Sequence, residues 1–505
     1  MGFELRQLWS PPEINPYNKK AKSIPIFNPF DKYGRVFFFS YLGFFIAFWS
    51  WYAFPPLLSV TIKKDLQLSQ NEVANSNIIS LAATLVMRAI AGPLCDRFGP
   101  RLTFVGCLLL GAIPSALAGT AHNAASLYAI RFFVGILGST FVPCQVWTTG
   151  FFDRNVIGTA NALVGGWGNS GGGITYFVMP AIYDSLIYRR GLAPHVAWRV
   201  SFIVPFILIT AVAISMLLLT EDTPTGKWSD RAKVFPAGSH TDSTIVATIG
   251  TLTEKGSATA SISSKDDKRV VSPQVGVEAA TGEVQIFDEV QHEVIVKPSP
   301  KEAFKVLCSL QTITLLAAYA CSFGGELAIN SILGSYYLKN FPKLGQTTSG
   351  RWAAMFGLLN VVSRPAGGFI ADLIFRWTGR SLWAKKLWIH FVGVISGVLL
   401  IVIGQLDPKK LGTMMGLIAL MAVFLEAGNG ANFALVPHVH PHANGVVSGL
   451  IGAFGNLGGI IFAIIFRYNG THYARVFWIM GVCIVVLNLV FVWTRPLPRG
   501  QIGGR

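Results

Sequence analysis

The sequence predicts an all-α polytopic membrane protein of twelve transmembrane helices in two pseudo-symmetric six-helix halves. The first observation is composition. Of 505 residues, 52% are hydrophobic and only 13% charged, against about a quarter charged in soluble domains. The second is that the apolar residues come in blocks. Runs such as 36–58 and 387–404 are on the scale of the roughly 20 residues a bilayer-crossing helix needs. The third is an internal repeat relating the two ends of the chain. The first two exclude a water-soluble fold.

The elements follow in order. The N-terminal stretch 1–35 opens MGFELRQLWSPPEINPYNKK. It has no short apolar core with a small-residue cleavage site, so it is expected to be a cytoplasmic tail rather than a signal peptide. Its sixth position lacks the Ser or Thr of a myristoylation signal. Spans are predicted at 36–61, 73–95, 102–121, 126–149, 158–183, 200–220, 308–337, 353–375, 385–405, 412–436, 444–467 and 474–494. The two bundles therefore cover 36–220 and 305–494. Between them, 221–304 is rich in Ser, Thr, Lys, Glu and Asp. Such a segment buries too little apolar surface to fold, and a disordered cytoplasmic connector is expected. Residues 495–505 form a C-terminal tail, also expected to be cytoplasmic.

The net charge of +16 does not require a nucleic-acid partner. Lys19, Lys20, Lys22 and Lys32 precede span 1, and Arg97 and Arg101 join spans 2 and 3. Arg376, Arg380, Lys385 and Lys386 join spans 8 and 9, and Arg495 and Arg499 follow span 12. All these positions fall on one side, which the positive-inside rule assigns to the cytoplasm. Lys63, Lys64, Lys409 and Lys410 run against the trend. The opposite loop between spans 11 and 12 holds Asn469-Gly-Thr471, a weak glycosylation sequon on the appropriate side. The six cysteines, Cys95, Cys107, Cys144, Cys308, Cys321 and Cys483, are scattered without metal-ligand spacing. They read as small apolar packers, with no disulfide, metal or other cofactor expected.

The repeat organises the rest. Gly158-TANALVGGWGNSGG matches Gly445-VVSGLIGAFGNLGG at a constant offset of 287, aligning Asn169 with Asn456. Arg88-AIAGPLCD96 matches Arg364-PAGGFIAD372, with Gly92 against Gly368 and Asp96 against Asp372. Spans 2 and 5 thus have counterparts in spans 8 and 11. In folds built from such repeats, the substrate lies near mid-membrane between the halves.

Four polar residues converge on that depth. Arg88 and Arg364 lie eight residues before Asp96 and Asp372, roughly 12 Å deeper in the membrane. Asn169 and Asn456 lie eleven residues after Gly158 and Gly445, roughly 16 Å deep. A guanidinium at the middle of a core about 30 Å thick costs at least roughly 2.5–3.5 kcal/mol. It needs a partner, and neither span supplies a carboxylate at this depth. A carboxylate from another helix, Glu326 or Glu426, is one solution. For two arginines at symmetric positions an oxyanion is the better one, because the guanidinium fork donates two parallel hydrogen bonds. Asparagine amides add donors without charge. The glycines of spans 5 and 11 recur at three- and four-residue spacing, which suits close helix packing in lipid.

Two sets of residues carry a family resemblance. Gly166-Trp-Gly-Asn169-Ser-Gly171 and Ala453-Phe-Gly-Asn456-Leu-Gly458 resemble the paired nitrate signature of the nitrate/nitrite porter family, within the major facilitator superfamily. Gly92-Pro-Leu-Cys-Asp-Arg-Phe-Gly-Pro-Arg101 resembles the superfamily's loop 2–3 motif, and Arg131-Phe-Phe-Val-Gly135 its helix 4 motif. The long connector resembles that of fungal high-affinity nitrate transporters. The resemblance implies a major facilitator fold and a non-enzymatic function. It makes Arg88, Arg364, Asn169 and Asn456 substrate residues. It adds Phe141 as the ring stacked on the planar anion, although Thr140 stands where bacterial members carry Asn. It also adds Tyr319 and Phe323 on span 7, and Phe433 on span 10 as the mate of Phe141. Without the resemblance these aromatics read as core packing. Arg131 is expected to be structural or gating. Asp96, Arg97 and Arg101, with Gly92, are expected to latch the inner gate, while Asp372, followed by Leu373, is expected to be a degraded copy.

The function implied is nitrate import across the plasma membrane by alternating access, with nitrite as a further candidate substrate and the monomer as the working unit. Uptake against an inside-negative potential needs a driving ion, since each charge costs about 2.3 kcal/mol per 100 mV. The resemblance implies proton symport, and Glu326 and Glu426 are the candidate proton sites within spans. His438, His440 and His442 are further candidates, or else a solvated loop. Nitrate/nitrite exchange, and a nitrate receptor signalling through 221–304, remain alternatives.

Overall fold

The computed structural model describes residues 5–16, 18–230, 300–440 and 443–497. Among these the regular elements are all helical. Eleven segments are long and apolar enough to cross a membrane. They are α1 (Lys32–Leu57), α2 (Asn71–Phe98), α3 (Pro100–Thr120), α4 (Ala124–Phe151), α6 (Pro194–Leu219), α7 (Leu310–Asn340), α8 (Thr348–Trp377), α9 (Leu382–Leu406), α10 (Leu411–His438), α11 (Asn444–Asn469) and α12 (Tyr473–Phe491). The twelfth crossing is α5, drawn as two helices, Ile157–Asn169 and Gly171–Tyr188, that meet at Ser170.

Ser170 keeps helical backbone angles, and Ile174 donates to its carbonyl at 2.9 Å, so the span expected over 158–183 carries only a local irregularity there. It falls within VGGWGNSGGG, where six of ten residues are glycine, each roughly 1 kcal/mol poorer than alanine in a helix. Packing explains why those glycines are there. A Cβ on Gly168 would overlap the Phe44 ring, and one on Gly171 the backbone of Phe45. A Cβ on Gly166 would overlap the Asn360 carbonyl, and one on Gly173 would lie 3.0 Å from the Leu358 nitrogen. The stripe thus lets α5 lie flush between α1 and α8, one in each half. The repeat copy on α11 stays a single helix. Its Gly455 faces the Tyr319 and Phe323 rings, and its Gly458 the backbone of Ala320 on α7.

Two other spans leave regular α-geometry at mid-length. In α4, Gly135–Thr140 is a 3₁₀ stretch. In α8, Leu359–Val361 is 3₁₀, just before Arg364 and Pro365; proline withholds a backbone donor. Such interruptions leave carbonyls without helical partners and often mark functional positions.

The halves touch at two related places, at the ends of α2 and α8 that carry Asp96 and Asp372. Gly92 packs against the Gly445 carbonyl, and Gly368 against that of Gly158. Beside them, Asp96 accepts from the Gly445 and Val446 nitrogens at 3.1 and 3.0 Å. Asp372 accepts from the Thr159 nitrogen and hydroxyl at 2.6 and 2.8 Å. Each aspartate caps the helix N-terminus of the opposite half, where orphan amides and the helix dipole favour an anion.

Of the predicted connector, 231–299 lies outside the described residues, as does most of the C-terminal tail. Its first residues are not free. Trp228 is buried and donates to the Asp96 carbonyl at 3.3 Å. Asp222 pairs with Arg101 at 2.7 Å. The N-terminal tail is also held, with Ala21 bonded through its backbone to Phe151 and Asp153.

Candidate substrate site between the two halves

Arg88 on α2 and Arg364 on α8 are both fully buried. Arg88 donates Nε to the Gly138 carbonyl at 2.8 Å, which the 3₁₀ stretch of α4 makes available. Its Nη1 donates across the halves to the Gly452 carbonyl at 3.1 Å. Arg364 donates Nη2 to the Tyr319 hydroxyl at 3.0 Å, within the C-terminal half. In each guanidinium one nitrogen, Nη2 of Arg88 and Nη1 of Arg364, has no hydrogen-bond partner. Neither arginine forms an ion pair with a carboxylate among the described residues. A buried charge left with unmet donors is costly.

Aromatic rings fill the space between. The Arg88 guanidinium carbon is 5.0 Å from the Phe141 ring centre and 4.9 Å from that of Phe323. For Arg364 the distances are 5.1 and 5.9 Å. Tyr319 and Phe323 are stacked at 5.1 Å, Phe141 lies nearly parallel to both, and Phe433 meets Phe141 edge-on at 4.7 Å. All four of the aromatics expected at the site therefore meet there. They provide a planar, apolar wall with two cationic forks against it.

The glycines make room for these arginines. Gly165 lies beside Arg364, where a Cβ would sit 2.9 Å from Nε. Gly452, its repeat counterpart, lies beside Arg88, where a Cβ would sit 3.1 Å from Cδ. Each arginine thus rests on the glycine helix of the other half, and the repeat positions serve equivalent purposes.

The asparagines do not. Asn456 donates to the Gly452 carbonyl at 3.0 Å, on its own helix, sharing that acceptor with Arg88. Asn169 donates instead to Glu326 Oε1. Of the two amides expected at the substrate, one thus steadies an acceptor of Arg88, and the other serves a carboxylate. Glu326 also accepts from Asn360 at 2.8 Å and Asn429 at 2.6 Å. The sequence reading missed both asparagines. The available signal was a buried amide in an apolar span, Asn360 one turn before Arg364 and Asn429 three residues after Glu426.

The remaining expected residues lie elsewhere. Glu426 is buried on α10. Arg131 is buried near the N-terminal end of α2, donating to Ser76 at 3.3 Å and lying over Phe54 at 5.4 Å. Arg97 lies over Phe98, and Arg101 ties α3 to Asp222 and to carbonyls at the end of α6. Asp96 thus reaches the opposite half through helix amides, while Arg101 makes its contacts within its own half. Although its motif is degraded in sequence, Asp372 makes the equivalent cap and pairs with buried Lys385 at 2.9 Å. Lys385 lies 3.3 Å from His438. His438 is buried rather than part of a solvated loop, His440 meets Ser309 at 3.0 Å, and His442 lies outside the described residues. Asn469 is half-buried and donates to the Ile465 carbonyl at 2.9 Å.

A paired-arginine centre between two capped helix bundles is the arrangement of a carrier, and comparison with known proteins agrees. The Major Facilitator Superfamily model matches residues 40–463. The chain belongs to the nitrate/nitrite porter family of this superfamily. It is 38% identical to Elsinochrome transporter 1 of Elsinoe fawcettii, over 99% of this chain and all of that protein. It is 32% identical to High affinity nitrate transporter 2.5 of Arabidopsis thaliana, over 93% of this chain and 81% of the relative. The fold is similar to that of the human organic anion transporter MFSD10 (TETRAN), with TM-score 0.56 and 12% identity, over 90% of this chain and 99% of the other. As a family member it is a multi-pass membrane transporter and not an enzyme.

Proposed function

We propose that this porter imports nitrate across the plasma membrane by proton symport, with both termini in the cytoplasm and one anion held between its halves. The observation that carries the reading is the pair of buried guanidiniums, each with an unpartnered Nη, against the Phe141 and Phe323 rings. An oxyanion would satisfy those donors by charge-assisted hydrogen bonds. A flat one would also lie along the stacked rings. Nitrate is planar and carries one charge, so it would leave the pair with one net positive charge and draw α2 and α8 together. Nitrite offers the same two-oxygen edge.

Transport would follow from rocking of the halves, with the caps at Asp96 and Asp372 closing the inner side. Purified protein in liposomes tests this, with pH and internal nitrite varied independently. Nitrate accumulation driven by an inward proton gradient supports symport. Accumulation only with internal nitrite would replace symport by exchange. Binding without flux would favour a receptor. Because a relative over the full chain is named for elsinochrome, elsinochrome belongs in the same assay. Its transport in the absence of any nitrate flux would overturn the nitrate reading.

A further inference from the structure

The Glu326 carboxylate is buried at the middle of α7 among three asparagines, from α5, α8 and α10. All three present Nδ2: Asn169 and Asn360 to Oε1, Asn429 to Oε2. An ionised carboxylate only accepts hydrogen bonds, so this cage as drawn fits the anion. Yet Asn360 Oδ1 and Asn429 Oδ1 are buried without partners. An asparagine that rotates about its terminal torsion presents that oxygen where its nitrogen was. The same cage can then accept a proton-bearing hydroxyl from Glu326. Lysine or arginine in those places could serve only the charged form.

Asn169 and Asn360 are also tied to the anion site. Asn169 lies one turn beyond Gly165, the residue against Arg364, and Asn360 one turn before Arg364. The charged and titratable groups that face Glu326 are Arg364 from α8, Glu426 from α10, Arg88 from α2, Tyr52 from α1 and Tyr319 from α7 itself. Two of these are the proposed nitrate ligands.

We propose that Glu326 carries the coupled proton, and that Asn169 links it to the anion by donating to the Glu326 carboxylate when the proton is absent and to nitrate when it is present. This rests on the nitrate symport reading above. An ionised Glu326 competes with nitrate twice, as a second negative charge beside Arg364 and as a claimant for the Asn169 amide. Protonation removes both effects. Proton and nitrate then favour one another's binding, by equal factors in each direction. Asn360 and Asn429 are positioning residues that hold Glu326 in either state.

The test is nitrate affinity of the purified full-length protein across pH, alongside liposome flux. In wild type, affinity should weaken on raising pH by up to about tenfold per pH unit, as one linked proton requires. Glu326→Gln should bind nitrate with a flat pH profile. It should retain nitrate counterflow and lose proton-driven accumulation. Asn429→Ala removes one of three donors to the charged form, while Asn360 can still accept from the single hydroxyl of the protonated one; it should keep the slope and move its midpoint to higher pH, and it stands in if Glu326→Gln does not fold. A pH-independent affinity in wild type overturns the coupling while leaving nitrate transport intact. Proton-driven accumulation by Glu326→Gln does the same. Wild type that binds no nitrate at any pH overturns the nitrate reading itself.

Discussion

At the scale of single residues, the proposed site is two guanidiniums whose donors are unevenly spent. Arg88 uses Nε and Nη1 on backbone carbonyls, and Arg364 uses Nη2 on Tyr319. What each has left is aimed at the same aromatic wall. Lysine at either position would keep the charge and lose the fork. Arg88→Lys and Arg364→Lys are each expected to weaken nitrate binding by roughly 10–100-fold, the worth of one or two hydrogen bonds to a charged group. Equilibrium titration with nitrate measures this. Tyr319→Phe removes only the hydroxyl that orients Arg364, leaving the ring stack with Phe323. A loss of about fivefold to tenfold in nitrate affinity is expected, with thermal stability close to wild type.

At the scale of elements, glycine is what allows arginine-bearing helices to lie against α5 and α11. Gly165→Ala should force Arg364 Nε from its place, since the added Cβ would stand 2.9 Å away. The expected result is lost nitrate affinity in a folded protein. Gly106 on α3 has open space around it, so Gly106→Ala should be silent in the same assay. Here too the limits of sequence reading show. The repeat made α2, α5, α8 and α11 legible, together with both arginines and the small-residue stripes, because spacing and composition fix depth and face. The local irregularity at Ser170 was not legible. Nor was the divergence of Asn169 from Asn456. Two identical positions in a repeat take different partners when only one half supplies a glutamate opposite. The fold-back of Trp228 onto Asp96 was hidden because a single tryptophan in a polar stretch has no periodicity to read.

At the scale of the whole molecule, the two halves meet at two related seams, on the side proposed above to be cytoplasmic. Each combines a bare glycine contact with an aspartate capping the facing helix. In the proposed alternating-access cycle the seams part for release. Gly92→Ala would place a methyl group into the Gly445 carbonyl and should shift the population towards an inward-open state. Distances between spin labels on the cytoplasmic ends of α2 and α11 should lengthen in that variant. Unchanged distances would argue that this seam is not the inner gate.

The central claim is that one nitrate bridges Arg88 and Arg364. Calorimetric titration of nitrate into wild type, Arg88→Lys, Arg364→Lys and the double variant tests it most directly. The account predicts one site per chain, a marked loss in each single variant, and a double variant much less weakened than the sum of the two, because both arginines hold one ion. Wild-type affinity in either single variant, or strictly additive losses at two sites per chain, would contradict it.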